Sequence, residues 1–304
     1  MYRIISLIPS STEIVCALGL EKYLVGRSHE CDYPISVKEL PICTKPKIDV
    51  NGSSSEIDKS IRSILKNALS VYEVYINKLK ELKPTHILTQ SQCEVCAVSE
   101  KDVTEALYTF TESKPKIVSL APSSLRNIYN DIEYIALTFG IEDKGRLFLS
   151  SLQERVKNIH ISARNKYRPR VGCIEWIDPL MAAGNWVPEL IELASGTNLF
   201  GKAGEHSSWL NLEELYEENP EIIIVMPCGF NIEKTIKEMS SLIKRKEWSN
   251  LTAVKNNKVY IVDGNQYFNR PGPRIIDSLE ILAEIIHPEI FHFGYKNKGW
   301  KHLG

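Results

Sequence analysis

The sequence predicts an α/β protein with two Rossmann-like lobes, each built on a parallel sheet, joined by one long backbone helix. Short apolar segments typical of buried strands alternate with helical patterns along the 304 residues. This alternation pauses near residue 142 and restarts after residue 168. We therefore predict an N-terminal lobe at 1–141, a connecting helix at 142–168 and a C-terminal lobe at 169–304.

The connecting helix is predicted from apolar residues that recur at steps of three and four, the spacing of one helical face. They are Leu147, Phe148, Leu152, Val156, Ile159 and Ala163. No proline interrupts the segment before Pro169. At 1.5 Å per residue the helix would be about 40 Å long. We expect it to fix the width of a ligand cleft between the lobes.

The same patterns predict the other elements. In the N-terminal lobe, strands are expected at 3–8, 23–26, 85–89 and 116–120, and helices at 13–18, 57–82, 101–111 and 125–139. Residues 41–55 are predicted to be irregular. In the C-terminal lobe, strands are expected at 170–175, 221–226 and 258–262, and helices at 187–194, 212–218, 232–244 and 275–286.

Composition excludes two classes of partner. The net charge is −1, and no basic run has aromatic residues interleaved, so we expect no nucleic-acid binding. No apolar run reaches the roughly 18 residues of a membrane helix, so we expect no direct membrane insertion. The first residues show no signal-peptide pattern, and an odd count of seven cysteines favours reduced thiols. We expect a cytoplasmic monomer, or a periplasmic or extracellular protein if a leader has been removed.

Candidate ligand-binding residues follow the predicted strands, because open α/β sheets bind ligands beyond the carboxyl ends of their strands. They are Pro9, Ser10, His29, Tyr33 and Gln92 in the first lobe, and Trp176, Trp186, Phe268 and Arg270 in the second. The aromatic rings would stack on a flat macrocycle or nucleobase-like ligand. Alternatively, they fill the lobe surfaces.

Two of these candidates have a second interpretation. The Arg270 guanidinium suits a carboxylate, amide or phosphate, or it forms an ion pair that staples its own loop. Ser10 lies near a helix N-terminus, where it either meets a polar ligand group or caps the helix together with Glu13.

A metal site is predicted from His29, Cys31, Cys93 and Cys96, which lie on two strand-end loops. Imidazole and thiolate groups ligate zinc, iron or cobalt, and Cys-x-x-C is a common ligand spacing. Only one such pair is present, however, and buried cysteines can simply act as small hydrophobic residues.

Four segments resemble substrate-binding proteins of cobalamin and siderophore ABC importers. They are RIISLIPSSTEIVCALGL, LVGRSHECDYP, AAGNWVPELIELASGTNLF and YFNRPGPRIIDSLEIL. The resemblance is strongest to the cobalamin-binding branch. It implies one ligand between two lobes, a corrinoid flanked by aromatic residues, and an acidic residue on each lobe that docks onto the transporter permease. Glu56 and Glu192 are the candidate docking residues; alternatively, both are ordinary solvated charges.

Two functional hypotheses follow. The first is a small-molecule binding protein for a corrinoid or other metal chelate, which meets an ABC transporter permease only if it is exported. The second is a cytoplasmic enzyme or metalloprotein that reuses the cleft with a histidine and cysteine site holding zinc or iron. No catalytic residue is identified, because nucleophile-elbow, Walker and dinucleotide patterns are absent from the sequence.

Overall fold

The computed structural model describes residues 1–66, 71–91, 99–107 and 114–303, and the chain forms two compact units. Unit 1 comprises Met1–Gly52, Glu56–Pro122 and Arg126–Ser150. Unit 2 comprises Ser53–Ser55, Ser123–Leu125 and Ser151–Gly304. The division therefore falls inside the long helix rather than at its ends.

Unit 1 contains a parallel sheet and an antiparallel strand pair. The strands are β1 (Ile4–Ser6), β2 (Leu24–Arg27), β3 (Thr44–Pro46), β4 (Tyr72–Val74), β5 (His86–Gln90) and β6 (Lys116–Leu120). The parallel sheet has the order β2-β1-β5-β6, and β3 pairs with β4. The helices are α1 (Pro9–Ala17), α2 (Ser54–Lys66), α3 (Ile76–Leu82), α4 (Glu100–Leu107), α5 (Leu125–Thr138) and α6 (Glu142–Ala163). Helix α2 starts in unit 2, and α6 ends there.

Unit 2 is built on a mixed sheet with a parallel centre. The strands are β7 (Arg170–Trp176), β8 (Met181–Ala182), β9 (Thr197–Asn198), β10 (Ile222–Val225), β11 (Val259–Val262) and β12 (Trp300–His302). The order is β12-β11-β10-β7-β8, with β9 also on β7; β8 and β12 are antiparallel to their neighbours. The helices are α7 (Val187–Leu193), α8 (Leu212–Glu218), α9 (Ile232–Glu238), α10 (Ser240–Ile243), α11 (Thr252–Lys255) and α12 (Ile275–Ile286).

The central strand of unit 2 shows why the sheets are parallel. All four residues of β10 are at most 2% exposed, and the strand pairs in parallel with β7 on one side and β11 on the other. A strand covered on both faces must be apolar throughout, and helical crossovers supply that cover. The predicted α/β class with parallel sheets is confirmed. The cleft expected between the lobes stays a prediction.

The single helix predicted at 57–82 is wrong. Helix α2 ends at Lys66, α3 begins at Ile76, and strand β4 lies between them. Strand β4 pairs with β3, and β3 lies within residues 41–55, for which we predict irregular structure. Aromatic and β-branched side chains in Tyr72–Val74 suit a strand, and pairing with a distant partner outweighs the local helical spacing.

The long helix α6 is shorter than predicted and packs closely at its start. It begins at Glu142 as predicted, but it ends at Ala163 rather than Arg168. The amide of Lys166 bonds to the carbonyl of Ala163, which closes a tight turn in place of another helical turn. Near its start, a Cβ on Gly145 would lie 2.5 Å from the Cβ of Ala136 on α5. Glycine at this position therefore allows the two helices to approach closely.

The second half of α6 is tied to the last helix by charge. Arg155 lies 2.6 Å from Asp277 and 2.8 Å from Glu280, both on α12. The same carboxylate oxygen of Glu280, Oε2, also accepts from the Tyr295 hydroxyl at 3.0 Å. These partly buried, charge-assisted contacts hold the long helix and the C-terminal segment against α12.

In the part of the chain that the structure describes, the helices include none with the length and hydropathy needed to cross a bilayer.

Asp131, on α5, provides a pH-dependent test of stability. Burial raises the pKa of its carboxyl group to about 7, and its Oδ2 atom has no hydrogen-bond partner among the described residues. The folded state therefore binds the proton more tightly than the unfolded chain, and ionised Asp131 destabilises the fold progressively between about pH 4 and pH 7. We expect Asp131→Asn to raise the melting temperature at pH 8, with the gain shrinking towards pH 5.

The control is Glu133→Gln, an exposed substitution on the same helix, for which we expect no pH-dependent difference. Melting followed by circular dichroism at both pH values measures the effect. An equal gain at pH 8 and pH 5 would show that ionisation of Asp131 does not limit stability.

Candidate functional site

In unit 1, the loops after β1 and β2 are joined by a buried polar cluster. The Thr12 hydroxyl lies 2.7 Å from Ser6 Oγ and 3.0 Å from Cys31 Sγ. Ser11 Oγ lies 2.6 Å from Ser6 Oγ. These residues are fully buried, so each polar side chain needs an internal partner. The cluster fixes where the two loops leave the sheet.

Helix α1 begins earlier than predicted. Pro9 is its first residue, and the residue before it, Ile8, makes no side-chain cap. Proline suits this position because its missing N–H would have no partner there. Ser10 therefore lies inside the first turn and is 4% exposed, so the predicted cap by Ser10 is wrong. The role of Pro9 and Ser10 in ligand binding stays a prediction.

His29 lies on the loop after β2, and one of its ring nitrogens is hydrogen-bonded. Its Nδ1 atom is 2.8 Å from Thr44 Oγ1, and its side chain is 21% exposed. Burial, followed by the nearby charge of Arg27, lowers the pKa of the imidazole to about 4. His29 is therefore neutral near pH 7, the form in which an imidazole nitrogen can ligate a metal.

The side chain of Arg27 holds the loop that carries His29. The guanidinium of this buried residue donates to the carbonyl oxygens of Ser28 at 3.0 Å, Cys31 at 3.1 Å and Lys38 at 3.0 Å. Tyr33 ends the loop with a side chain that is 46% exposed. A rigid loop with an exposed ring is consistent with the predicted ligand contact, which stays a prediction.

The predicted metal site is only partly described. Cys93, Cys96 and Gln92 lie outside the described residues. Among the described residues, no group of three or more metal-ligating side chains is found. The Cys31 thiol is fully buried within the polar cluster around Thr12, so it has a packing role in this structure. The four-residue ligand set stays a prediction.

The thiols within the described residues are buried or half-buried and not in disulfides. They are Cys16, Cys31, Cys43, Cys173 and Cys228. Burial raises the pKa of the Cys16 thiol to about 12 and that of Cys43 to about 11, and it raises the pKa of Cys173 as well. The thiolate form is therefore rare in these three residues at neutral pH.

In unit 2, an aromatic row crosses the edge of the sheet. Trp176 ends β7 and pairs with Met181 of β8, and Met181 bridges in turn to Trp209. Directly paired residues project their side chains on the same face of a sheet. The Phe230 ring lies 5.2 Å from that of Trp176, at the opposite end of the row. We call Phe230, Trp176, Met181 and Trp209 the aromatic row.

The row is open to solvent at its outer end. Trp209 is 56% exposed, whereas Trp176 and Met181 are half-buried and Phe230 is buried. At the inner end, the ammonium group of Lys234 lies 3.9 Å from the centre of the Phe230 ring. The row thus offers apolar surface at its outer end, with a cation beside its inner end. Sequence reasoning identified Trp176 but missed Trp209 and Met181, which carry no local signal of their pairing.

Two predicted ligand contacts are buried instead. The Phe268 side chain has no exposed surface, and Trp186 is 5% exposed. The Trp186 indole N–H donates to the carbonyl oxygen of Phe268 at 2.9 Å, which satisfies its one polar group. The contact of these two residues with a ligand stays a prediction. Both rings instead hold the loop after β11 in place.

The loop after β11 is further stiffened by amide and guanidinium contacts. The Asn269 amide donates to the carbonyl oxygens of Met226 and Gly264, both at 3.0 Å. Arg270 is 5% exposed, and its guanidinium donates to Asn265 Oδ1 at 3.2 Å. This contact ties Arg270 to its own loop through an amide oxygen, which is not the predicted ion pair. Its contact with a ligand stays a prediction.

The half-buried Glu175 directly precedes Trp176 of the aromatic row. Glu175 Oε2 accepts from the Ser207 hydroxyl at 2.8 Å, and Ser207 Oγ accepts from the Gly184 amide at 3.2 Å. Burial raises the pKa of Glu175, while hydrogen bonds to its carboxylate from Ser207 and from the Gly184 backbone act in the opposite direction. Ser207 lies two residues before Trp209, so this contact helps to fix the segment that ends the row.

The chain matches known proteins over most of its length. A family described as periplasmic binding protein matches residues 4–265. The chain belongs to the periplasmic binding protein family. This membership confirms the family resemblance noted in the sequence.

Three similar proteins show the range of this family. The ABC transporter substrate-binding lipoprotein YvrC of Bacillus subtilis (strain 168), described as uncharacterized, is 26% identical over 295 residues, which are 95% of this chain and 81% of YvrC. The vitamin B12-binding protein of Vibrio cholerae is 23% identical over 280 residues, covering 91% of this chain and 86% of that protein. The structure of Staphylococcus aureus IsdE complexed with heme has a TM-score of 0.69 at 18% identity, covering 94% and 99% of the two chains.

The two predicted docking residues of this periplasmic binding protein differ in their surroundings. Glu56 is exposed in the first turn of α2. Glu192 pairs with Arg168 and accepts the amide of Asn198 at 3.0 Å, so its carboxylate already has two partners. Docking through either residue stays a prediction.

Removing the Asn269 amide tests how the loop after β11 is held. In Asn269→Ala, two carbonyl oxygens lose their donor, so we expect the free energy of unfolding to fall by about 1–3 kcal/mol. Urea denaturation measures this change. The control is Asn250→Ala at an exposed position of the same unit, for which we expect no change beyond about 0.5 kcal/mol. Equal effects of the two substitutions would contradict the role assigned to Asn269.

Proposed function

We propose that the chain is the substrate-binding component of an ABC importer and that it binds a flat, metal-chelating macrocycle, either a corrinoid or haem. Membership of the periplasmic binding protein family supports the first part. The names of the similar proteins, one for vitamin B12 and one for heme, support the second. These two ligands share a planar macrocycle around a metal ion, and that shared chemistry is the class proposed here.

The aromatic row is the observation that carries this proposal. Rings and a methionine side by side make an apolar, polarizable surface, and each aromatic stack with a ligand contributes about 0.5–1.5 kcal/mol beyond the burial of area. A single exposed tryptophan would be unremarkable on a protein surface. Trp209 instead continues a row through Met181 to Trp176 at the strand ends, where α/β sheets bind ligands.

The polar neighbours of the row suit the periphery of such a ligand. Corrinoids carry amide side chains and haem carries carboxylates, and both kinds of group lie at the rim of the macrocycle. The ammonium group of Lys234 stands beside the Phe230 ring, where it can meet a carboxylate or an amide oxygen. The second hypothesis, an enzyme or metalloprotein, is not supported by the comparisons, because the similar proteins are named for binding or uptake.

The proposed location follows from the same relatives. The Bacillus subtilis relative is named as a lipoprotein, and the comparisons do not support the cytoplasmic expectation. We place the protein outside the cytoplasmic membrane, with the importer permease as its partner. Glu56 and Glu192 remain the proposed docking residues. For Glu192, docking requires that a permease arginine replace Arg168 as its partner.

Shortening Trp209 tests the role of the aromatic row. We expect Trp209→Ala to weaken the binding of haemin or aquocobalamin about five- to tenfold, because roughly 1 kcal/mol of stacking is lost. Titration followed by quenching of intrinsic fluorescence and by ligand absorption measures the dissociation constants. The matched control is Phe293→Ala, which removes another exposed aromatic residue of unit 2.

The two probes distinguish the two possible ligands. Preference for haemin indicates a haem importer, and preference for aquocobalamin indicates a corrinoid importer. If the wild-type protein binds neither probe at micromolar concentration, the proposed ligand class is wrong. If Trp209→Ala binds as tightly as Phe293→Ala, the aromatic row is not the ligand surface.

A further inference from the structure

The exposed tryptophan of the aromatic row lies on a chain segment outside the regular elements of unit 2. Residues 199–211, all of which the structure describes, join β9 to α8 outside any helix or strand. Trp209 lies near the end of this segment, and its side chain is 56% exposed. A segment without a regular hydrogen-bond ladder keeps its position through contacts with the scaffold around it. These contacts therefore decide where the Trp209 ring stands in the row.

Backbone contacts hold the 199–211 segment against the stretch that contains β8. The amide of Ala182 donates to the carbonyl oxygen of Ser208 at 2.8 Å, and the amide of Leu210 donates to a carbonyl oxygen of the same stretch at 3.0 Å. A Cβ on Gly184 would lie 2.6 Å from the backbone nitrogen of Ser207, so glycine allows the two segments to touch. The position of Trp209 then depends on how firmly β8 is held to β7.

Glu175 lies at an irregularity in the pairing of β7 with β8. Ile174 pairs with Ala182, whereas Trp176, two residues further along β7, pairs with the adjacent Met181. Glu175 is therefore the extra residue of a β-bulge. A bulge leaves its extra residue out of the backbone ladder, and bulges are frequent next to active sites. The backbone pairing that holds β8 is thus interrupted directly beside Trp176.

The Glu175 side chain supplies a contact at this interruption. Its Oε2 atom accepts from the Ser207 hydroxyl at 2.8 Å. Ser207 Oγ accepts the Gly184 amide at 3.2 Å, and Ser207 is 9% exposed. Hydrogen bonds to an ionised carboxylate are about twice as strong as neutral ones. One hydroxyl group thus joins β7, the turn after β8 and the 199–211 segment, at a point two residues before Trp209.

The charge on Glu175 sets the strength of this contact. Burial raises the pKa of its carboxyl group, while the bonds from Ser207 and Gly184 and the nearby His206 act in the opposite direction. Cys173 also lies near Glu175 on β7, but burial raises the pKa of its thiol, so it adds no charge near pH 7. An exposed glutamate takes up its proton at about pH 4.3. Glu175 takes up its proton at a higher pH, and a neutral hydrogen bond then replaces the charge-assisted one.

We infer that Glu175 is a positioning residue for the ligand surface: its carboxylate, acting through Ser207, holds Trp209 in the aromatic row. This inference rests on the proposed function, because the row is the surface proposed to bind the macrocycle. Glu175 itself need not touch the ligand. Loss of its charge loosens the 199–211 segment, and a displaced Trp209 ring contributes less stacking to the bound ligand.

The first test needs no ligand. The protein is labelled with 5-fluorotryptophan, and the signals of its five tryptophans are recorded by ¹⁹F NMR. The signal that is missing in Trp209→Phe belongs to Trp209. We expect Glu175→Gln to shift and broaden this signal and to leave those of the buried Trp248 and Trp300 unchanged. The matched control is Glu217→Gln at an exposed position of α8, which should leave the Trp209 signal as it is in the wild type.

The second test measures affinity for haemin and aquocobalamin. We expect Glu175→Gln and Ser207→Ala each to weaken binding about two- to fivefold, which is less than the loss in Trp209→Ala, because the ring is displaced rather than removed. The double variant should lose no more than either single variant, because both changes remove the same contact. Ser240→Ala, at an exposed position, is the control for the serine. Melting curves confirm that each variant is folded.

The pH profile separates the charge of Glu175 from its packing. We compare the affinities of the wild type and Glu175→Gln between pH 8 and pH 5, because their ratio cancels any effect of pH on the probe itself. The advantage of the wild type should shrink towards 1 as the pH falls and Glu175 is protonated. His206→Gln should keep this dependence. If His206→Gln abolishes it, the histidine carries the pH dependence and the charge of Glu175 does not.

The outcomes distinguish the inference from the proposed function. If the ¹⁹F signal of Trp209 is the same in the wild type and in Glu175→Gln, the inference is wrong, and the proposed function stands as long as the wild type binds a probe. Additive losses in the double variant would show that Glu175 does not act through Ser207, which also overturns the inference. If the wild type binds neither probe, the proposed function fails, and the ¹⁹F spectra alone decide whether Glu175 positions Trp209.

Discussion

Parallel pairing of short, largely buried strands is the constraint on which both units depend. A strand such as β10, buried along its whole length, has no polar face to present to water and needs neighbours on both sides. Because parallel strands all end at the same edge, the loops that follow them are gathered there whatever their sequences are. The candidate residues of each unit, His29 in one and Trp176 in the other, are neighbours of the sheet edge for this reason.

The sequence predicts the bounds of a strand or helix correctly where that element has a clear local pattern of apolar residues. The strand at 116–120 and the helices at 212–218 and 275–286 have the predicted bounds, because a continuous apolar run or a regular spacing marks each one. Strand β4 has no such signal. Its three residues sit in a stretch with helical spacing, and only pairing with β3 makes them a strand. The same distant pairing supplies Thr44 to His29, from a region that the sequence leaves irregular.

The sequence could not predict which side chains of the candidate loops face outward. The strand-end rule selected the loops that carry Trp176, Trp186 and Phe268, but it contains no information about which way a ring points. Trp186 turns inward because its indole N–H finds the Phe268 carbonyl oxygen. Trp209 becomes part of the row because Met181 bridges to it. Such choices depend on contacts between residues far apart in sequence, and a single sequence does not record them.

The buried thiols change what the cysteine content says about the surroundings of the protein. Oxidants and disulfides react with thiolates, and burial keeps Cys16, Cys43 and Cys173 protonated. The low thiolate fraction therefore slows the reaction of these three side chains with oxidants. For these three cysteines, the absence of a disulfide partner is therefore compatible with a location outside the cytoplasm.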